Sequence, residues 1–219
     1  MYNTIRMNLE SSGILIGIKP FNERDSVARI FTRDFGVLVG MLRGANVAKK
    51  NKPLIGQIGN VVWNARLDSQ LGVFHWAAEK NLAAPLMADA VALMRMNAAL
   101  ELLRVLLPER ESYDALYDDT LVLMQTLLTD ENAYLKWEIN LLRGLGYALD
   151  LSRCSGCGKT ENLNYLSPRT GRAVCDACAA PYINKLYKLP LNLDVTGRFV
   201  DAVCVGQGTQ MPIMRKMLK

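Results

Sequence analysis

A chain of 219 residues, half of them hydrophobic, has room for one large domain or two to three small ones and enough apolar surface to exclude disorder as the default. Its formal charge is +5 and unevenly placed: residues 1–80 hold eleven Lys/Arg against six Asp/Glu, a balance of +5, while residues 81–219 hold fifteen of each. No run reaches the ~18 apolar residues of a membrane span, and the first residues lack the apolar core and small-residue cleavage site of a signal peptide.

A cytoplasmic, reducing location is therefore expected. A basic front module on a neutral body suits a polyanionic partner, nucleic acid first; the alternative is a solvated surface that happens to be basic.

Residues 1–80 read as β. Short β-rich runs recur at Ile14–Lys19, Ser26–Thr32, Val37–Arg43, Leu54–Asp68 and Gly72–Glu79, separated by turn signals such as Lys19-Pro20-Phe21-Asn22 and Asp34-Phe35-Gly36. Five short strands in about 80 residues suit a small closed barrel, with the OB-fold as the obvious candidate. Closure also removes the sheet edges that a small all-β domain must otherwise protect.

The stretch Arg43-Gly-Ala-Asn-Val-Ala-Lys-Lys-Asn-Lys-Pro53 puts four cations in a loop of turn formers. Long cations on a loop suit phosphate contacts, which are independent of base sequence and sensitive to salt. Arg24, Arg29, Arg33 and Arg66 add charge nearby in sequence. The candidate nucleic-acid contacts are Arg24, Arg33, Arg43, Lys49, Lys50, Lys52 and Arg66. Aromatic residues are interleaved (Phe21, Phe31, Phe35, Trp63, Phe74, Trp76); most belong in a core, and one or two at the surface can stack on bases. The only histidine, His75, reads as a partly buried strand residue rather than a base or ligand.

The pattern changes near Pro85. From Leu86 to Leu107 apolar residues fall at steps of three and four, so a helix is predicted there, ended by Pro108. A second helix is predicted from a Ser112 cap to about Leu128. A third follows Asp130, with Tyr134, Trp137, Leu141, Leu142 and Leu145 on one stripe. Further on, Asp194 to Val205 can form one more helix and Met211 to Leu218 a short amphipathic tail. The predicted class is α+β: an OB-fold nucleic-acid-binding domain over residues 1–82, then a helical domain over 83–219 with a zinc-binding insertion at 150–182.

That insertion holds Cys154-Ser-Gly-Cys157 and Cys175-Asp-Ala-Cys178, two C-x-x-C pairs seventeen residues apart. Two residues between cysteines let both sulfurs reach one ion at about 2.3 Å, so Cys154, Cys157, Cys175 and Cys178 can close a tetrahedral shell around one Zn2+. Four thiolates leave no open position, which points to a structural rather than a catalytic ion. Gly158 can take the positive φ that such a knuckle needs. Asn164–Leu166 and Arg172–Val174 flank a turn and form a predicted β-hairpin between the pairs. Cys204 reads as a buried small hydrophobe.

Three segments carry a family resemblance. Arg29-Ile-Phe-Thr-Arg-Asp-Phe-Gly-Val-Leu-Val-Gly-Met-Leu-Arg-Gly-Ala45 resembles the N-terminal strands of RecO, the bacterial DNA repair and recombination mediator. Ile139-Asn-Leu-Leu-Arg-Gly-Leu-Gly-Tyr-Ala-Leu-Asp-Leu-Ser-Arg-Cys-Ser-Gly-Cys-Gly158 resembles its junction of helix and zinc loop, and Ser167-Pro-Arg-Thr-Gly-Arg-Ala-Val-Cys175 the segment leading to its second pair.

The resemblance implies an OB-fold followed by a helical domain with the zinc loop. It also implies binding of single- and double-stranded DNA, annealing of complementary strands, and help in loading recombinase onto DNA coated by single-strand-binding protein. The partners it implies are RecR and the C-terminal tail of single-strand-binding protein. Family members often carry arginines directly after the Gly-Ala that matches Gly44-Ala45; here Asn46-Val47 stand there, and the cations come later.

None of these motifs is catalytic, so a non-enzymatic mediator is the leading expectation. The alternatives are a zinc-containing hydrolase or nuclease, which would need clustered carboxylates such as Asp118-Asp119, and an adaptor that docks proteins with no direct role on DNA. The sequence carries no Walker A loop, G-x-S-x-G or HExxH motif.

Overall fold

Alternating burial along the first strands closes them into a barrel. In β4 (Gln57–Ala65), for example, Gly59, Val61, Trp63 and Ala65 point inward and their neighbours are more exposed. In this computed structural model, residues 7–50, 52–65 and 71–218 are described. The other strands are β1 (Met7–Pro20), β2 (Ser26–Thr32), β3 (Gly36–Leu42) and β5 (Gly72–Asn81). They form a closed barrel in the order β1-β2-β3-β5-β4, with β3 and β5 parallel and the other pairs antiparallel. That arrangement is the five-stranded OB pattern.

β1 serves two neighbours. Met7–Ile14 pairs with β4 and Gly13–Pro20 with β2, with an irregularity between Leu15 and Gly17 where the strand passes from one partner to the other. Leu15, Ile30, Leu38, Val61, Trp63 and Phe74 fill the interior. The Trp63 indole donates to the Val39 carbonyl at 2.9 Å, so the largest core side chain is also satisfied. β1 begins at Met7, earlier than the expected Ile14, because Met7–Ser12 carries no apolar run of its own and is held in the sheet by pairing with the distant β4.

After a 3-10 turn at Ala84–Ala88, α1 (Ala90–Leu106) and α2 (Asp114–Thr126) pack with the barrel. Asp89 caps α1, its carboxylate accepting from the Val91 and Ala92 N–H groups at 2.9 Å each. The expected Ser112 cap is corrected: Ser112 Oγ donates to the Arg33 carbonyl at 3.4 Å, and α2 starts at Asp114 without a side-chain cap. The link between α1 and α2 crosses the β2–β3 turn, where the Arg110 N–H donates to the Val37 carbonyl at 3.0 Å. Gly36, at φ +64°, permits this approach; a Cβ there would sit 1.8 Å from the Glu111 carbonyl oxygen.

The chain forms two compact units, divided between Glu131 and Asn132. The second contains α3 (Ala133–Gly144), β6 (Tyr165–Leu166), β7 (Ala173–Val174), α4 (Asp176–Ala179), β8 (Tyr187–Lys188), α5 (Leu193–Gly206) and α6 (Ile213–Lys216). α3 buries Tyr134, Trp137, Leu141 and Leu142 of the expected stripe, while Leu145 falls at the helix C-cap and is half-buried; it also buries Glu138, which apolar periodicity does not identify. The Glu138 carboxylate accepts from Arg215 Nε and, at 2.7 Å, from Arg215 Nη2. Arg215 further donates to the Leu193 and Leu218 carbonyls, so the short tail helix is anchored inside this unit. Cys204 is fully buried on α5, as expected, and burial raises its thiol pKa. Among the described residues, no helix is long and apolar enough to cross a membrane.

Candidate nucleic-acid interface and metal centre

Strand register sorts the predicted cations. Ser26 on β2 pairs with Leu42 on β3, so Arg24, just before β2, and Arg43, just after β3, lie at the same end of that hairpin. Thr32 pairs with Gly36 at the other end, so Arg33 lies about seven strand residues, or ~23 Å, from that cluster. Arg33 is engaged there, donating to the Asp118 carboxylate of α2 at 2.7 Å. This hydrogen bond and the Asp118 charge raise the Arg33 pKa. Arg29 faces Glu109 at 3.5 Å.

Arg24, Arg43, Lys49, Lys50 and Lys52 are exposed, and none has an ion-pair partner among the described residues. Arg66 lies outside the described residues.

Sequence reasoning did not find what joins the two basic loops. Asn46 Nδ2 donates to the carbonyls of Asn22 (2.7 Å) and Asp25 (2.8 Å), and its Oδ1 accepts from Ser26 Oγ at 2.6 Å. Its backbone N–H donates to the Arg24 carbonyl at 3.0 Å. Nearby, the Gly44 N–H donates to the Asp25 carboxylate at 2.8 Å, and this bond, with one from Asn22, lowers the Asp25 pKa. An asparagine can both donate and accept in this way and an arginine can only donate. Position 46 thus ties the β3–β4 connection to the β1–β2 turn and leaves the charge to Lys49, Lys50 and Lys52. The signal was present as Asn46 standing where arginine is common, but its partners are twenty or more residues away.

His75 departs from expectation. It is an exposed residue of β5 rather than a partly buried one, because its side chain falls on the outer face of the alternating strand.

The four cysteines of the two C-x-x-C pairs converge. The sulfurs of Cys154, Cys157, Cys175 and Cys178 all lie within 4.8 Å of one another, and the Cys157–Cys175 separation is 3.6 Å. A regular tetrahedron with bonds of about 2.3 Å has edges near 3.8 Å, so the set fits a metal such as zinc. The expected hairpin is present as β6 against β7, extended by β8 on the other side of β6.

Gly158 has φ +77°, as the first knuckle requires. Gly156 matters too, since a Cβ there would come 3.0 Å from Cys178 Sγ. The second pair needs no matching glycine, because Cys175 leads directly into α4. The Gly156 and Cys175 N–H groups donate to Cys154 Sγ at 3.3 and 3.4 Å. Led by the Cys175 N–H, such bonds bring the Cys154 pKa down to about 6. Cys178, bonded to the other sulfurs with Cys157 first, is pushed up to about 12. The surrounding apolar cluster is small, with Val174 and Ala179 buried and Leu163, Tyr165 and Leu186 against them.

Comparison with known proteins agrees with this architecture. The family model described as Recombination protein O N terminal matches residues 7–78, and that described as Recombination protein O C terminal matches residues 87–202. The chain belongs to the RecO family. Its relatives include the DNA repair protein RecO of Ruegeria sp. (strain TM1040), 36% identical over 84% of this chain and 78% of that protein. The DNA repair protein RecO of Jannaschia sp. (strain CCS1) is 35% identical over 91% of this chain and 83% of its own length. That of Dinoroseobacter shibae is 37% identical over 81% and 76%. The two RecO models meet between residues 78 and 87, close to the change from strand to helix near Pro85.

Proposed function

We propose that this chain is a non-enzymatic mediator of DNA repair and recombination. It binds single- and double-stranded DNA, anneals complementary strands, and assists recombinase loading on DNA coated by single-strand-binding protein. RecR and the C-terminal tail of single-strand-binding protein are its protein partners, and it acts in the cytoplasm. The observation that carries this reading is the group of exposed cations Arg24 and Arg43, at one end of the β2–β3 hairpin, and Lys49, Lys50 and Lys52 on the connection that follows, none with an ion-pair partner among the described residues.

Annealing requires no bond chemistry. Two polyanions must approach, and cations that cover phosphates reduce their repulsion. The names of the relatives support the same reading. The carboxylate that a nuclease reading would recruit, Asp118, is held by Arg33.

In this proposal Cys154, Cys157, Cys175 and Cys178 hold one structural zinc ion. The ion would cross-link a ribbon whose apolar cluster is too small to hold it alone. It supplies fixed shape and no reaction step.

Strand annealing, with and without single-strand-binding protein at several salt concentrations, tests the function. If the five cations contact phosphates of a single strand, log K against log salt should have a slope of about −3 to −4. Replacing Lys49, Lys50 and Lys52 by alanine should flatten it by roughly two units. An unchanged slope would place the DNA surface elsewhere.

A further inference from the structure

The four thiols of the cysteine cluster are not equivalent. Cys154 and Cys175 are buried and Cys178 is half-buried, whereas Cys157 is exposed. Cys154, Cys175 and Cys178 belong to the apolar cluster around Val174 and Ala179, and of the four cysteines Cys157 alone stands outside it. The backbone explains its position. Cys157 lies between Gly156 and Gly158, and a Cβ on Gly158 would meet nothing within 4 Å, so the outer side of this knuckle is open. Cys154 Sγ accepts the Gly156 and Cys175 N–H groups at 3.3 and 3.4 Å, bonds that draw density from that sulfur. Cys157 Sγ accepts no backbone N–H among the described residues.

Inside the cluster a second thiol waits. Cys157 Sγ lies 3.6 Å from Cys175 Sγ, so a disulfide of about 2.05 Å needs the sulfurs to close by ~1.5 Å, a movement that rotation about the Cα–Cβ bonds can supply. A small oxidant from solvent reaches Cys157 first, and the buried Cys175 meets the product from within.

We propose that Cys157 is an oxidation site for hydrogen peroxide and that Cys175 is the thiol that resolves it. The Cys157 thiolate attacks one peroxide oxygen; the O–O bond breaks, hydroxide leaves and a sulfenic acid remains. The Cys175 thiolate then attacks the Cys157 sulfur; the S–O bond breaks, a second hydroxide leaves and the S–S bond forms. Two thiolates lose two electrons in all, and each hydroxide takes up a proton, so peroxide is reduced to two water molecules. Cys154 and Cys178 are left, each gaining a proton, and two ligands cannot hold a tetrahedral zinc ion. This inference rests on the zinc reading above and deepens it. The new bond joins one C-x-x-C pair to the other around the β6–β7 hairpin, so a covalent cross-link replaces the one the metal supplies; a bond within either pair would not.

The test treats the full chain with an equimolar amount of hydrogen peroxide. Zinc release, read with a chromogenic chelator, should follow cross-link formation mole for mole. All five thiols should alkylate under denaturing conditions before treatment and three afterwards, with peptide mapping placing the bond between Cys157 and Cys175. Dimedone, a sulfenic-acid trap, should label Cys157 before any other cysteine. A thiol reductant with added zinc should restore the metal content.

Zinc retained after peroxide treatment, dimedone found first on Cys178, or a bond within one C-x-x-C pair would overturn the proposal. A chain isolated without zinc that still forms the Cys157–Cys175 bond would remove the metal reading and leave the oxidation site standing. A chain with neither zinc nor that bond would remove both.

Discussion

Glu138→Gln is the sharpest probe of the second unit. Glu138 is 0% and Arg215 2% exposed, so neither end of this ion pair reaches water. Two bonds join the side chains, and the guanidinium also donates to the Leu193 and Leu218 carbonyls and lies 6.0 Å from the Tyr134 ring centroid. Glutamine preserves size and one acceptor but leaves a buried cation without its counter-charge, which costs about 3–5 kcal/mol.

At about 2–4 °C per kcal/mol for a chain of this length, the melting temperature should fall by roughly 6–20 °C. Burial alone would lower the Arg215 pKa; the bonds and charge of Glu138 outweigh it and hold it raised. A raised cationic group contributes stability that is fully present below its ordinary pKa and lost only as pH climbs through the raised one. The deficit should therefore be constant across neutral pH. Urea unfolding followed by circular dichroism measures it. The paired apolar replacement Glu138→Leu with Arg215→Met should recover most of the loss, since a buried ion pair is often no better than well-packed hydrophobic side chains. A Glu138→Gln protein that melts within a degree or two of the unaltered one would refute the buried pair.

Other expectations follow from the loops and the cysteines. Cys157→Ser should lose bound zinc, measured by elemental analysis, and lower the melting temperature; retention of both would dismiss the metal assignment. Gly36→Ala should destabilise by about 2 kcal/mol or more, since positive φ and a 1.8 Å approach to Glu111 act together. Gly44→Ala, with φ +70° and nothing within 4 Å, should cost only about 1–2 kcal/mol; equal losses in denaturant titrations would show that the Glu111 approach is unimportant. Asp25 has its pKa below 3.8 through the Gly44 N–H. A depressed carboxylate contributes stability above its ordinary pKa and loses it as pH falls through the depressed one, so the exchange protection factor of the Gly44 amide, taken relative to the intrinsic rate at each pH, should fall only in acid. A titration of Asp25 by NMR with a midpoint at or above 3.8 would contradict this.

Much of the fold was legible because local periodicity carries it. Short β-rich runs between turn signals marked β2 and β4, steps of three and four marked α1 and α3, and the C-x-x-C spacing located the four-cysteine cluster without tertiary information. The start of β1 and the α2 cap were misread for one physical reason: Met7–Ser12 and Ser112 take their partners from distant chain, β4 in one case and the Arg33 carbonyl in the other.

The amino-acid order by itself determined the five-stranded barrel, the helices, the family resemblance and the four converging thiols, since each depends on neighbours within a few residues or on a repeated spacing. The tertiary structure alone decided which cations lie together. Antiparallel register brings Arg24 to Arg43 and sends Arg33 to Asp118, and Asn46 fixes the loops between. Only folding could leave Cys157 outside the apolar cluster or bury Glu138 against Arg215, because a thiol acquires its cover and a charge its partner through space, across separations that sequence spacing does not record.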